Sequence, residues 1–229
     1  MIEVQQLEKR FLAKKAIQNI HLTIETGRIY GIIGENGSGK STLLKLMAGL
    51  IHPSKGSVKV NGEPVTRKSA SHIGYMTDRD TFYPYLKVKE LVDFYDSQFP
   101  DFNRERAQDI LDFLSVDPDE KLTNLSKGNL GRAKLAVTIA REAPFLLLDE
   151  PLSGLDPMVR ESIVKGILQF VDFEQQSLVI TTHEIRDIEP LLDEAIIIHQ
   201  GRKLAQQSVD DIREHQHLDV ESWLKKNMK

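Results

Sequence analysis

Eight consecutive residues have the types and spacing to hold a phosphate chain. Gly34-Glu35-Asn36-Gly37-Ser38-Gly39-Lys40-Ser41 follows the pattern G-x-x-x-x-G-K-[ST], and Thr42 comes next. Glycine lacks a Cβ, so successive backbone N–H groups can turn inward onto phosphate oxygens. Lys40 is placed to reach the β- and γ-phosphates, and the Ser41 hydroxyl can ligate Mg²⁺. A helix starting here would aim its positive end at the same phosphates. A flexible glycine turn is the plainer reading. The apolar run 29–33 before the pattern and the helical spacing of Leu43, Leu44, Leu46 and Met47 after it favour the phosphate cradle.

A phosphate cradle also needs a carboxylate to position magnesium. Phe145-Leu146-Leu147-Leu148-Asp149-Glu150 offers one at the end of an apolar strand. Asp149 can hold the ion, through water, while Glu150, one step further out, is suited to be the general base for an attacking water. Alone, the pair could be just a charged strand end. Ser126, ahead of a helical pattern, reads by itself as an ordinary helix cap. His183, after the apolar run 178–182, reads by itself as a surface histidine. The other six histidines form no metal-ligand spacing and are expected on the surface.

In order along the chain, these segments resemble ABC-type ATPases. Leu125-Ser126-Lys127-Gly128-Asn129 is similar to the family's signature sequence, Pro151-Leu152-Ser153-Gly154-Leu155-Asp156 to its D-loop, and Thr181-Thr182-His183-Glu184 to its switch-histidine loop. Phe11 resembles the aromatic that stacks on adenine. The resemblance implies ATP and Mg²⁺ as ligands. It also implies a second ATPase subunit paired head to tail, with Ser126, Gly128 and Asp156 serving the partner's nucleotide and His183 contacting the γ-phosphate. Two positions depart from the family pattern. Thr77-Asp78 stands where a glutamine is usual, and Asp78 can still serve Mg²⁺ through water. Lys127 and Asn129 replace a glycine and a glutamine of the signature. The aromatic stretch Phe82-Tyr83-Pro84-Tyr85 is either core packing or, as the resemblance implies for Asp78–Leu86, a docking groove for transmembrane permease subunits.

These side chains need strand ends and helix starts to hold them. Strands are expected at 29–33, 145–149, 178–182 and 195–199, and alternating strands are expected around Ile20-to-Ile24 and Val58-to-Val60 ahead of an Asn61-Gly62 turn. Helices are expected over 41–50, 104–115 and 132–142. βα alternation interrupted by a helical, aromatic-rich middle gives an α/β fold. The resemblance specifies a P-loop NTPase core, a RecA-like mixed sheet with an antiparallel β subdomain, and an inserted α-helical subdomain. The expected division is a single domain over 1–229, with a nucleotide-binding core at about 1–77 and 143–229 and the helical subdomain at about 78–142.

The 229 residues carry a net charge of −4, with 28% charged and 40% hydrophobic residues and no cysteine. Collagen-like, disordered and disulfide-scaffold classes are excluded, as are thiolate nucleophiles. The slight acidity gives no drive toward nucleic acid, and no nucleic-acid partner is expected. No targeting segment or membrane span is visible, so the chain alone is expected to be soluble or peripheral to something. The resemblance implies the cytoplasmic face of the membrane, reached through membrane partners. Residues 200–229 are expected to leave no room for a regulatory domain. The leading function is the ATP-hydrolysing subunit of an ABC transporter, exporting small molecules or peptides. A soluble ABC ATPase acting on DNA or ribosomes would call for basic stripes or coiled-coil insertions. A small-molecule P-loop kinase would need neither the Ser126 segment nor the D-loop.

Overall fold

A computed structural model describes residues 1–12, 14–78, 82, 83 and 85–228. Two sheets divide the strands. Ile2–Phe11 (β1), Lys14–Ile24 (β2), Lys55–Val60 (β4) and Glu63–Pro64 (β5) form an antiparallel sheet ordered β2-β1-β4-β5. Asn61 and Gly62, at φ 52° and 85°, make the tight turn between β4 and β5. Ile29–Ile33 (β3), Ile73–Met76 (β6), Phe145–Asp149 (β7), Ser177–Thr182 (β8), Glu194–His199 (β9) and Arg202–Ser208 (β10) form the second sheet, ordered β10-β9-β3-β8-β7-β6. Its pairs are parallel except β10 with β9.

The central strands β3, β7 and β8 are buried along their whole length, which is why their sequences are continuous apolar runs and not alternating ones. Their side chains serve two cores. Tyr30, Ile32, Leu147, Val179 and Ile196 pack toward the antiparallel sheet and the helix Lys40–Met47 (α1), where Leu43, Leu44 and Met47 are fully buried. Ile33, Leu146, Leu148, Leu178, Ile180 and Ile197 face the other side, shared with Val88–Gln98 (α2), Arg104–Phe113 (α3), Lys127–Ile139 (α4), Pro157–Phe170 (α5), Val209–Gln216 (α6) and Val220–Asn227 (α7). Among the described residues no helix is long and apolar enough to cross a membrane.

Several helix limits differ from the sequence reading. α1 ends at Met47, and Gly49 follows in the left-handed region at φ 70°. α4 begins at Lys127, five residues before the expected start, so Gly128 lies inside the helix and Ser126 is its N-cap. The apolar period missed this first turn because Lys127, Gly128 and Asn129 carry no apolar signal. α2 was not expected either; its face of Val88, Leu91 and Val92 is narrow. Buried Arg141 ties the helical region to the second sheet. It pairs with Asp101 at 2.7 Å, donates to the Ile73 carbonyl at 3.1 Å and stacks 4.0 Å from the Phe99 ring.

Candidate functional site

Parallel strands end on the same side of a sheet, and loops at that edge are where open α/β sheets bind ligands. Here Ile33 pairs with Thr182, and Asp149 with Thr181. The register therefore sets the ends of β3, β7 and β8 level, so that Gly34, Glu150 and His183 emerge side by side. Gly39 precedes α1 at φ 113°, a conformation that glycine adopts without strain, and a Cβ there would press on the Ala16 carbonyl at 2.7 Å.

Lys40 is buried, and its Nζ donates to the carbonyls of Gly34 at 2.7 Å and Glu35 at 3.2 Å. It also lies 3.0 Å from Glu150 Oε1, an ion pair without hydrogen-bond alignment, since that oxygen is otherwise without a hydrogen-bond partner. Glu150 Oε2 is 2.8 Å from His183 Nδ1. With Glu150 ionised, that contact places the imidazole proton on Nδ1. Glu150 itself sits in the left-handed region at φ 49°, held by its N–H donating to Thr181 Oγ1 at 2.9 Å. A non-glycine residue held there marks local strain of the kind that collects at functional sites.

Asp149 lies directly behind, fully buried. Its Oδ1 accepts from Ser41 Oγ and Thr181 Oγ1, both at 2.9 Å, and its Oδ2 from the Tyr75 hydroxyl at 3.1 Å. Burial pushes the Asp149 carboxyl above its ordinary range, against the pull of these three donors. Tyr75 is pushed up as well, first by burial and then by the Asp149 charge, which keeps it a proton donor to the carboxylate. Thr181 and Tyr75 have a place here that sequence reading did not assign. A hydroxyl on a buried strand carries no signal until the neighbouring strand is known.

Phe11, Asn36, Gly37, Gly39, Lys40, Ser41, Thr42, Asp78 and Glu150 line one cavity of about 490 Å³. Lys14, Ala16, Lys127 and Ser153 complete its wall; Lys127 and Ser153 come from the segments that resemble the signature and the D-loop, whereas Lys14 and Ala16 were given no role from sequence. Phe11 is half-exposed with Lys9 Nζ 4.9 Å from its ring centre, leaving a flat apolar face at one end. The Glu35 side chain points outward, so that residue serves through its carbonyl. Ser38 Oγ is buried without a partner beside the cradle, an orphaned donor that a phosphate oxygen would satisfy. The oxygen donors Ser41 and Asp149, within 2.9 Å of each other, suit a hard cation such as Mg²⁺, and burial leaves the Asp149 charge in want of one. Among the described residues no group of three or more acidic or imidazole side chains could hold a metal alone.

The remaining residues singled out in the sequence lie apart from this cavity. Ser126 caps α4, accepting from Asn129 N–H at 3.2 Å, and Asp156 caps α5, accepting from Val159 N–H at 3.0 Å. Gly128 packs toward Val159, with room for little more than hydrogen. Five of the other six histidines are exposed as expected, but His199 is half-buried with its Nδ1 unpartnered.

The family profile described as ABC transporter matches residues 17–153, more than half of the chain. The chain belongs to the ABC transporter family. Within it, the chain is 29% identical over 216 residues to the ABC transporter ATP-binding protein YtrB of Bacillus subtilis, covering 93% of this chain and 74% of that one. It is 31% identical over 213 residues to the Nod factor export ATP-binding protein I of Burkholderia lata, covering 90% and 70%. Solved structures share the fold. An ATP-binding subunit of an ABC transporter superposes with a TM-score of 0.87 at 22% identity, covering all of both chains. The dimeric structure of a bacterial ABC transporter cassette superposes at 0.82 with 23% identity, covering 91% and 98%. This ABC transporter ATP-binding subunit thus has the α/β cassette that its motifs implied, with ATPase activity characteristic of the family.

Proposed function

We propose that this chain hydrolyses ATP with Mg²⁺ and that ATP closes it head to tail on a second ATPase subunit. Closure would drive movement through separate transmembrane subunits at the cytoplasmic face of a membrane. The observation that carries this reading is the meeting of Lys40, Ser41, Asp149, Glu150 and His183 at one sheet edge. The phosphate loop and Lys40 bind the β- and γ-phosphates, and Phe11 offers its face to adenine. Ser41 and Asp149 would hold Mg²⁺, with Asp78 through water, and the ion would supply neutralisation of the phosphate charge. When Lys40 turns from Glu150 to the phosphates, Glu150 Oε1 is left to accept a proton from water. That water's oxygen bonds to the γ-phosphorus, the bond to the bridging oxygen breaks, and ADP leaves. His183, fixed on Glu150 Oε2, orients the water.

Ser126 supports a shared site. Its Oγ accepts the capping bond, so its own O–H remains to donate outward to a partner's phosphate. Dimeric cassettes among the structural neighbours support pairing with a second ATPase subunit. Export of small molecules or peptides is the favoured direction, in keeping with a Nod factor export protein among the relatives.

Glu150→Gln tests the chemistry. It keeps the shape of the side chain but removes the base, so turnover should fall at least about 100-fold while nucleotide affinity holds. With ATP the variant should elute as a dimer in sizing chromatography. Full ATPase activity in that variant would refute the assignment of the base.

A further inference from the structure

Lys127 opens α4, and with Asp78 it is one of the positions where this chain departs from the family's usual residues. Both departures meet in the wall of the phosphate cavity. A smaller concavity of about 70 Å³ joins Lys127 to Asp78, Asp149, Glu150 and Ser153, which places the lysine at the reacting end of the site and away from the Phe11 end. The lysine rests on the segment after Glu150. Lys127 Nζ lies against Gly154, at the place a Cβ would take, and Gly154 holds φ 65°, a conformation that favours glycine.

The charges in this wall are unequally engaged. Lys40 is taken up by two loop carbonyls and Glu150, and Glu150 is shared with His183. Among the described residues, Asp78 accepts from the Thr77 hydroxyl at 3.4 Å. The exposed Lys127 ammonium has no ion pair or hydrogen bond among the described residues. An ammonium on a flexible four-carbon stem is a compact charge with three donors, well matched to a terminal phosphate.

We propose that Lys127 binds the γ-phosphate of the nucleotide held by its own chain's phosphate loop. The signature segment, whose family role is to serve the partner's nucleotide, then also senses the nucleotide of its own chain before any dimer forms. This rests on the ATP-binding reading above, and the test separates the two. Binding of the non-hydrolysable analogue AMP-PNP and of ADP, each with Mg²⁺, is measured on the full chain at concentrations where light scattering gives a monomer. Lys127→Met should weaken AMP-PNP about tenfold, as expected for one charged hydrogen bond, with ADP unchanged within about twofold. Lys127→Arg should restore most of the AMP-PNP affinity. The proposal is overturned if Lys127→Met binds AMP-PNP like the unaltered chain, even should dimer formation suffer, because the lysine would then act on the partner's nucleotide alone. Equal losses for AMP-PNP and ADP would overturn it too, as that pattern reports a disturbed loop. An unaltered chain that binds neither nucleotide would instead refute the ATP-binding reading.

Discussion

At the scale of single residues, the site is built on charges held at a cost until a ligand arrives. Asp149 is fully buried and its carboxyl is pushed up by desolvation, although Ser41, Thr181 and Tyr75 all donate to it. Between the ordinary carboxylate range near about 3.9 and the raised folded value, the folded chain keeps a proton that the unfolded chain has released. Stability from this group is therefore greatest at low pH and is lost as pH rises through that window. Asp149→Asn removes the titration while keeping an oxygen for Ser41 and Thr181. In thermal unfolding without nucleotide, from pH 4 to 8, the variant should gain on the unaltered chain as pH rises and be the more stable at pH 7.5. Parallel melting curves across that range would show that Asp149 carries no unmet charge. Lys40, Ser41, Asp149 and Glu150 could be read from sequence because phosphate chemistry restricts their types and spacing. Thr181 and Tyr75 could not, since their partner sits on a strand far away in the chain.

At the scale of elements, Arg160 in the first turn of α5 joins two of the loops that frame the site. Its Nε donates to the Leu155 carbonyl at 2.8 Å, and its guanidinium pairs with Asp187 at 2.7 Å and with Glu184. The D-loop and the segment carrying His183 are thus tied together through one side chain. The same segment is held from its other side by Arg186 on Glu221 of α7 at 2.6 Å. Solvent-screened ion pairs of this kind contribute little to stability, so Arg160→Met should shift thermal stability little. Its effect should fall on the placement of His183, lowering kcat about tenfold while the dissociation constant for ATP stays within about twofold. Stopped turnover with weakened ATP binding would point to a collapsed loop in place of a misplaced histidine. The strands at this edge were legible because they are buried on both faces and read as apolar runs. The start of α4 was not, because its first turn is set by the Ser126 cap and by packing of Gly128 on Val159, neither of which leaves an apolar period.

At the scale of the whole molecule, the described aromatics after Asp78 face different ways. Phe82 turns inward, its ring 6.2 Å from that of Tyr95, and helps close a concavity of about 380 Å³ with Leu50, Met76 and Thr138 between the second sheet and the helical region. Tyr83 and Tyr85 turn outward, 60% and 65% exposed, with ring centres 5.6 Å apart. Arg79, Asp80, Thr81 and Pro84 of the expected docking segment lie outside the described residues. Two stacked, exposed tyrosines beside an apolar concavity have the character of interface anchors, which offer large area with few rotatable bonds. Tyr83→Ala combined with Tyr85→Ala should therefore leave ATP turnover of the isolated chain within about twofold. Anchors of this kind contribute about 2 kcal/mol or more when truncated, so recovery of the chain with transmembrane subunits from detergent-solubilised membranes should drop at least tenfold. Undiminished recovery with both tyrosines removed would move the docking surface elsewhere. Lost recovery together with lost turnover would mean that the pair holds the site and not a partner.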